Sequence, residues 1–184
     1  MRELSLHILD IVQNSIAAGA DRIEITICEE ISQNILWFAI KDNGCGMDEK
    51  TLANVTDPFF TTRTTRRVGL GIPLLKSLAQ ACGGDVTIES ALGQGVYFKT
   101  IFQYEHIDRP PLGDMSTTML SLILGAEEID FIYHHTYQGK AFQFSTGEMR
   151  EILGDLSFHN SEVLEWLKNY LIEGEGLLYS KETV

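Results

Sequence analysis

Two segments near the start of the chain alternate apolar and polar side chains. In residues 22–28 three isoleucines are separated by polar residues, and a second alternating run covers residues 35–41. The intervening residues 29–34 are mostly polar. Because successive side chains of a strand point to opposite faces, a period of two predicts a strand with one apolar face. We therefore predict two strands that are joined by a polar turn.

Helical periodicity surrounds these strands. Residues 3–19 carry apolar side chains at steps of three and four, which predicts a helix that ends at Gly19. The other elements predicted before residue 105 are a short helix at 48–54, a helix at 72–82 and two strands at 85–90 and 96–104.

A proline cluster at residues 108–113 predicts a boundary between a first domain, 1–107, and a small module, 108–184. The elements predicted in the module are a helix at 116–124, strands at 129–136 and 141–145, and helices at 147–153 and 161–172. We expect an interaction or dimerisation module rather than a catalytic one. The apolar residues at helical spacing that we assign to its core are Trp166, Leu167, Tyr170 and Leu171.

Charge is distributed unevenly along the chain. Residues 1–104 have a net charge of −3 and residues 105–184 one of −9, which together make the −12 of the whole chain. An acidic surface repels a phosphate backbone, so we expect no nucleic-acid partner. A basic cluster at Arg63, Arg66 and Arg67 is a local exception.

Membrane association and disulfide bonding are both disfavoured by the sequence. No run approaches 18 apolar residues, and the first residues lack the apolar core of a signal peptide. The three cysteines are an odd number without a CxxC pair, which argues against a disulfide framework. We therefore expect a cytoplasmic protein with no membrane partner.

Asp10 and Asn14 lie four residues apart in the first predicted helix, and so share one helix face. An asparagine oxygen can coordinate Mg²⁺ together with phosphate oxygens and waters. A carboxylate one turn earlier can orient or deprotonate a water. The alternative is that both are solvated polar residues of an exposed face.

The second predicted strand ends in the segment Asp42-Asn43-Gly44-Cys45-Gly46. An aspartate at a strand end can accept a hydrogen bond from the exocyclic amino group of adenine. Glycines directly after it let the backbone approach a flat base without a Cβ clash. The alternative is a tight Asn-Gly turn between a strand and a helix.

Residues 57–71 are rich in Thr, Arg and Gly and show no periodicity, which indicates a long functional loop. The run Gly69-Leu70-Gly71 leads into a helix, where backbone N–H groups can bind a phosphate. A plain surface loop with solvated arginines is the alternative, but the adjacent Phe59 and Phe60 argue against it because they require an apolar environment. GxxxxGK[ST] and strand-linked GxGxxG motifs are absent, so a P-loop or Rossmann site is excluded.

Taken in order, these motifs resemble those of the GHKL superfamily of gyrase, heat-shock chaperone, histidine kinase and mismatch-repair ATPases. The matching segments are an N box at 10–14, a first glycine box at 42–46, a phenylalanine box of the histidine-kinase form at 58–63, a second glycine box at 69–72 and a terminal element at 93–98. The resemblance covers residues 1 to about 104 and includes no dimerisation or phosphoacceptor domain.

The resemblance implies a two-layer α/β (α+β) sandwich of the Bergerat type, followed by the small α+β module. ATP would lie between the helices under a lid formed by residues 57–71. Asp10 would be the catalytic residue, Asn14 the Mg²⁺ ligand and Asp42 the adenine anchor. Further nucleotide contacts would come from Gly44, Gly46, Met47, Phe60, Thr61, Thr62, Arg63, Gly69, Leu70, Gly71 and Ile72.

Two departures from the family pattern bear on activity. Asp10 stands where hydrolytic members have a glutamate, so water activation would be weak, and Val96 replaces a threonine that usually hydrogen-bonds near adenine. His7 lies in the first helix, and we expect it to be structural rather than a phosphoacceptor.

We predict a regulatory ATPase or an ATP-dependent switch that acts on a partner protein, which is a response protein, a regulatory protein or an enzyme. The alternatives are a stand-alone protein kinase for His or Ser and a non-catalytic nucleotide sensor. A homodimer is kept open as an alternative assembly.

Overall fold

A mixed six-stranded sheet organises the chain in the computed structural model, which describes residues 3–57 and 71–180. The strands are β1 (Arg22–Glu30), β2 (Ile35–Asp42), β3 (Asp85–Ser90), β4 (Val96–Gln103), β5 (Asp130–Tyr137) and β6 (Lys140–Ser145). The helices are α1 (Leu4–Ala17), α2 (Glu49–Asn54), α3 (Gly71–Ala81), α4 (Met115–Gly125), α5 (Thr146–Leu153) and α6 (Ser161–Tyr179), with a short 3-10 helix at Ile31–Gln33.

The strands lie in the order β3-β4-β2-β1-β5-β6. Neighbouring strands are antiparallel except β1 and β5, which are parallel. In the register of the central pair, Ile25 lies opposite Ile40. A parallel pair needs a crossover, and α4 lies in the connection that brings the chain from β4 back to β5.

Burial alternates along the strands, and one face of the sheet is covered by helices. The isoleucines of β1 and the phenylalanines of β4, β5 and β6 are buried on that face, in one core shared with α1, α3, α4 and α6. Phe38 stacks between Phe98 and Phe102, with ring centroids 6.3 and 6.4 Å away. On the opposite face Lys99 Nζ lies 4.4 Å from the centroid of the Trp37 ring. The predicted arrangement of a sheet on one side and helices on the other is confirmed.

The predicted helices and strands are all present, with small differences at their ends. The largest difference is in α6, which continues to Tyr179 beyond the predicted end at residue 172. Within residues 3–57 and 71–180, no helix is long and apolar enough to cross a bilayer.

The second part of the chain extends the sheet of the first part. β5 pairs with β1 along eight residue pairs, and β6 forms the far edge. The connection before α4 also contacts α1: the backbone N–H of Leu4 donates to Pro111 O (3.0 Å) and that of Ser5 to Leu112 O (2.7 Å). The segment on which the domain boundary was predicted is therefore hydrogen-bonded to the first helix, and the division at residue 107 stays a prediction.

Candidate functional site

The carboxylate of Asp42 is buried at the end of β2 and is held by three donors. Its Oδ2 accepts from Ser15 Oγ of α1 (2.6 Å). Its Oδ1 accepts from the backbone N–H groups of Gly44 (2.9 Å) and Val96 (3.2 Å). Asp42 is only 6% exposed, so its orientation is fixed by protein groups rather than by water. The result is an anionic hydrogen-bond acceptor in one defined position.

The loop after Asp42 is fastened to the end of α1. Asn43 Nδ2 donates to Asp21 Oδ1 (2.6 Å), and Asn43 Oδ1 accepts from the backbone N–H groups of Asp21 (3.1 Å) and Arg22 (3.0 Å). The Cys45 N–H donates to Ala18 O (3.0 Å). A bare Asn-Gly turn would need none of these bonds, so the loop is part of a larger polar framework around Asp42.

Glycines allow the backbone to pass closely at two points of this loop region. Gly46 has a φ of +66°, and a Cβ there would lie 2.0 Å from Ala91 O. Gly95 has a φ of +74°, and a Cβ there would lie 1.9 Å from Asp42 O. Neither position can accept a larger residue without strain, because the backbone is left-handed there and because a Cβ would clash with a neighbouring carbonyl oxygen. Met47, next to Gly46, donates its N–H to Ser90 Oγ (2.8 Å).

The predicted catalytic residue of α1 lies against the start of α3. A Cβ on Gly71 would be 2.0 Å from Asp10 Oδ2, so the carboxylate touches the first residue of α3. Asp10 and Asn14 are both half-buried, one turn apart on α1. Ser15, the residue after Asn14, is the one that binds Asp42. Thus α1 connects the strand-end carboxylate to the amino end of α3.

A cavity of about 350 Å³ opens at the ends of β2, β3 and β4. This volume is within the range of small-molecule sites. Its lining residues are Lys41, Asp42, Glu89, Ser90, Ala91, Gln94, Gly95, Val96 and Tyr97. Val96 contributes its backbone N–H to Asp42, so the missing threonine side chain does not leave the carboxylate without a donor at this position.

The described residues include part of the predicted site. Asp10, Asn14, Asp42, Gly44 and Gly71 lie on the three elements that meet here. Met47 and Ile72, each directly after a glycine, are half-buried beside them. The predicted residues that lie outside the described part of the chain are Phe60, Thr61, Thr62, Arg63, Gly69 and Leu70.

Two residues that hold the site are missing from the sequence prediction, namely Ser15 and Asn43. Ser15 directly follows Asn14, and its position on the sheet-facing side of the first helix was the available signal. Asn43 belongs to the first glycine box, but nothing local in the sequence indicates that its amide would reach Asp21.

Two of the histidines, His7 and His135, are buried and have structural surroundings. His7 is 4% exposed, and burial is the main cause that lowers its pKa, as expected for a structural residue. His134 and His135 are neighbours on β5 and point to opposite faces of the sheet. His135 is buried between Glu175, 2.9 Å from its Nδ1, and Glu29, 3.3 Å from its Nε2. Burial opposes its protonation, but the two carboxylates outweigh burial and raise its pKa to about 9.

A helix-covered sheet with a buried aspartate at a strand end and two glycine segments beside it is the arrangement of a GHKL-type nucleotide-binding domain. Residues 2–106 match the family of histidine kinase-, DNA gyrase B- and HSP90-like ATPases. The chain belongs to this family, and it is homologous to the catalytic domains of sensor kinases.

Two curated relatives are sensor kinases. Signal transduction histidine-protein kinase AtoS of Escherichia coli is 35% identical over 102 residues, which cover 55% of this chain and 16% of AtoS. Sensor histidine kinase WalK of Bacillus subtilis is 27% identical over 103 residues, which cover 52% of this chain and 17% of WalK. The matched region is thus about a sixth of the length of these relatives.

One solved structure supports the fold. The crystal structure of the N-terminal domain of a DNA repair protein superposes with a TM-score of 0.52 at 16% identity, covering 79% of this chain and 53% of that chain. The superposed part is longer than the family match, so the shared fold extends into the second part of the chain.

Proposed function

We propose that this protein binds Mg-ATP where α1, the loop after β2 and the start of α3 meet, and that it acts as a regulatory ATPase or ATP-dependent switch on a partner protein. The observation that carries the proposal is the buried Asp42 carboxylate, fixed by Ser15, Gly44 and Val96. Family membership supports nucleotide as the ligand class.

Asp42 fits the role of adenine anchor by its remaining hydrogen-bonding capacity. A carboxylate offers about four acceptor positions, and three are used by protein donors, so about one remains for an amino group. Because the bound donors prevent rotation of the carboxylate, the free position has a fixed direction. A fixed acceptor favours adenine over guanine, which presents a carbonyl oxygen at the equivalent place.

Asn14 and Asp10 fit the phosphate end of the nucleotide. Asn14 offers one oxygen ligand, and Mg²⁺ bound to a nucleotide takes most of its other ligands from phosphates and water. The amino end of α3 favours a phosphate, since its first N–H groups lack partners within the helix. Asp10 touches Gly71 at that end, and is therefore placed to act on a water near the bound phosphates.

The direct test is calorimetry of Mg-ATP binding to Asp42→Ala and Asp42→Asn. We expect each to weaken affinity at least about tenfold, the effect of losing a hydrogen bond to a charged group. The matched control is Asp155→Ala, which changes an exposed aspartate that lies after α5 and does not line the candidate site. Unchanged affinity in both Asp42 variants, with folding verified by circular dichroism, would contradict the proposed Mg-ATP site.

The switch part of the proposal concerns residues 57–71, which we propose to contact bound nucleotide. Hydrogen exchange with and without Mg-ATP measures this directly. We expect slower exchange in these residues when Mg-ATP is present and no change in β6. Equal exchange in both states would leave nucleotide binding intact but contradict a switch.

A stand-alone protein kinase is the second candidate, and the match to the catalytic regions of AtoS and WalK favours it. Incubation with γ-labelled ATP and candidate response proteins would yield a phosphoprotein, and acid lability of the label would separate phosphohistidine from phosphoserine. Phosphate release without any labelled protein would favour the regulatory ATPase.

A further inference from the structure

The two edge strands of the sheet, β3 and β6, differ in how well they are protected against pairing with a further strand. β3 carries Asp85 and Glu89 among its six residues, and charged side chains discourage the pairing of a further strand. β6 has the sequence Lys-Ala-Phe-Gln-Phe-Ser, with no acidic residue and no proline. Among the described residues no strand pairs with its outer side. The β6 edge is therefore open to an additional strand.

A stripe of side chains on α6 lies beside this edge. With 3.6 residues per turn, its five members fall within about 80° of the helix circumference. The α6 stripe consists of Glu162, Trp166, Tyr170, Glu173 and Leu177. Trp166, Tyr170 and Leu177 are 44%, 39% and 67% exposed, although they border the buried face of the helix.

The aromatic pair of the stripe contacts β6 directly. The Trp166 and Tyr170 rings stack with centroids 5.1 Å apart and planes at 18°. The Tyr170 ring lies 5.6 Å from that of Phe142 and 6.1 Å from that of Phe144. A strand added to β6 would therefore place every second side chain against the exposed faces of this pair.

Negative charge flanks the aromatic pair on both sides. Glu162 precedes Trp166 by one turn, and Glu173 follows Tyr170 by three residues. Within the described ranges, neither carboxylate lies within 4.0 Å of a cationic nitrogen. The lysine of α6, Lys168, lies about 160° around the helix from Trp166. The surface thus combines two stacked, partly exposed aromatic rings with two carboxylates that form no ion pair within the described ranges.

We propose that the β6 edge and the α6 stripe together bind an extended segment of a partner protein that carries arginine or lysine at alternate positions. The backbone of the segment pairs with β6, as in other cases of strand addition. A cationic side chain lies over Trp166 and Tyr170, and others pair with Glu162 and Glu173.

A second copy of this chain is a poor occupant by charge. Pairing of two β6 edges would bring the carboxylates of two α6 stripes towards each other. Each chain has a net charge of −12, and β6 itself offers only Lys140 as a compensating cation. Charge complementarity therefore favours a basic segment of a different protein.

The test uses the fluorescence of Trp166 in the full chain. The chain has two tryptophans, so Trp37→Phe leaves Trp166 as the reporter. The probe is a short acetylated and amidated peptide in which arginine alternates with valine. We expect saturable binding that weakens with added salt and falls at least about tenfold in a Glu162→Gln/Glu173→Gln variant. An Asp85→Asn variant removes a negative charge from the opposite edge, outside the lining of the candidate site, and should bind normally.

Two further peptides test the mode of binding. Replacing arginine by glutamate should abolish binding, and methylating the backbone nitrogens on one side should do the same because it blocks strand pairing. No saturable binding up to about 1 mM, or equal binding of either control peptide, would overturn the proposal. So would sedimentation that finds a dimer which Gln143→Pro dissociates, since a second copy would then occupy the edge. Mg-ATP affinity should be the same in all these variants, so failure here leaves the proposed nucleotide site untouched.

Discussion

Asp10 is the residue that should separate turnover from nucleotide binding. Asp10→Asn keeps the shape of the side chain beside Gly71 but removes the base. We expect Mg-ATP affinity to be nearly unchanged while phosphate release falls about 100-fold or more, the usual contribution of a general base. Calorimetry and a phosphate-release assay measure the two effects on the same preparation.

Asp10→Glu is the matched variant for that experiment, because it lengthens the carboxylate by one methylene. We expect faster phosphate release than in the wild type. Equal phosphate release in the wild type and Asp10→Asn would contradict a role for Asp10 in hydrolysis.

Gly46 should be intolerant of substitution. Gly46→Ala combines a left-handed backbone with a Cβ 2.0 Å from Ala91 O, and should lower the free energy of unfolding by about 2 kcal/mol or more. Gly93 has a similar φ of +72° but open space around a Cβ, so Gly93→Ala should cost only about 1 kcal/mol. Urea denaturation measures both, and equal losses would show that the close approach to Ala91 is unimportant.

Among individual residues, the sequence predicts those whose role follows from a local motif. Asp42 and its glycines belong to one short segment, and Asp10 and Asn14 to one helix face. The bonds of Ser15 and Val96 to Asp42 escape prediction because they join residues 27 and 54 positions apart. Only the packing of α1 and β4 on β2 brings these donors to the carboxylate.

At the scale of elements, α6 lies directly on β6 at Gly174. A Cβ there would be 2.2 Å from Phe142 Cε2, so Gly174→Ala should push the helix from the sheet and cost about 1–3 kcal/mol. Gly176→Ala places its Cβ in open space, and should stabilise the helix by about 0.5–1 kcal/mol. Opposite signs in urea denaturation are the expected result, and a loss of the same size in both would contradict the contact.

His135 joins three elements, since it lies on β5 between Glu29 of β1 and Glu175 of α6. Its pKa is about 9 in the folded protein and about 6.5 when unfolded. Its contribution to stability is therefore complete below about pH 6.5 and is lost as the pH rises through about 9. We expect the free energy of unfolding to fall across this window.

The control for the pH experiment is His135→Gln, which keeps a polar side chain but cannot become charged. The fall in stability between pH 6.5 and 9 should be absent or much smaller in this variant. Parallel pH profiles of the wild type and the variant would show that another group is responsible.

Helical spacing in α6 illustrates how far a pattern can predict burial. Leu167 and Leu171 are buried as predicted, whereas the prediction that Trp166 and Tyr170 belong to the core is wrong, because both are more than a third exposed. The spacing places all four near one face of the helix. It does not indicate where the sheet ends, and the aromatic pair projects over the last strand.

At the scale of the whole molecule, removal of residues 108–184 should be strongly destabilising. The truncation exposes one edge of β1 and removes α4 and α6 from the shared core. We expect residues 1–107 to aggregate or to unfold at a much lower temperature than the full chain. Cooperative unfolding of 1–107 at the full chain's melting temperature would instead establish two independent domains.

The order of helices and strands follows from periodicity, but the order of strands within the sheet does not. β1 and β5 are adjacent and parallel although their paired residues are more than 100 positions apart. Local patterns contain no information about that pairing. The proline cluster indicates an irregular connection correctly, yet says nothing of what the connection contacts.

That connection has a consequence for α1. The helix begins without a side-chain cap, and its first N–H groups are instead satisfied by the carbonyl oxygens of Pro111 and Leu112. The helix that carries Asp10 and Asn14 is thus tethered, at its far end, to the segment that leads into α4. Any sliding of α1 along its axis must either break two backbone hydrogen bonds or pull that segment with it, so the two halves of the chain cannot adjust independently.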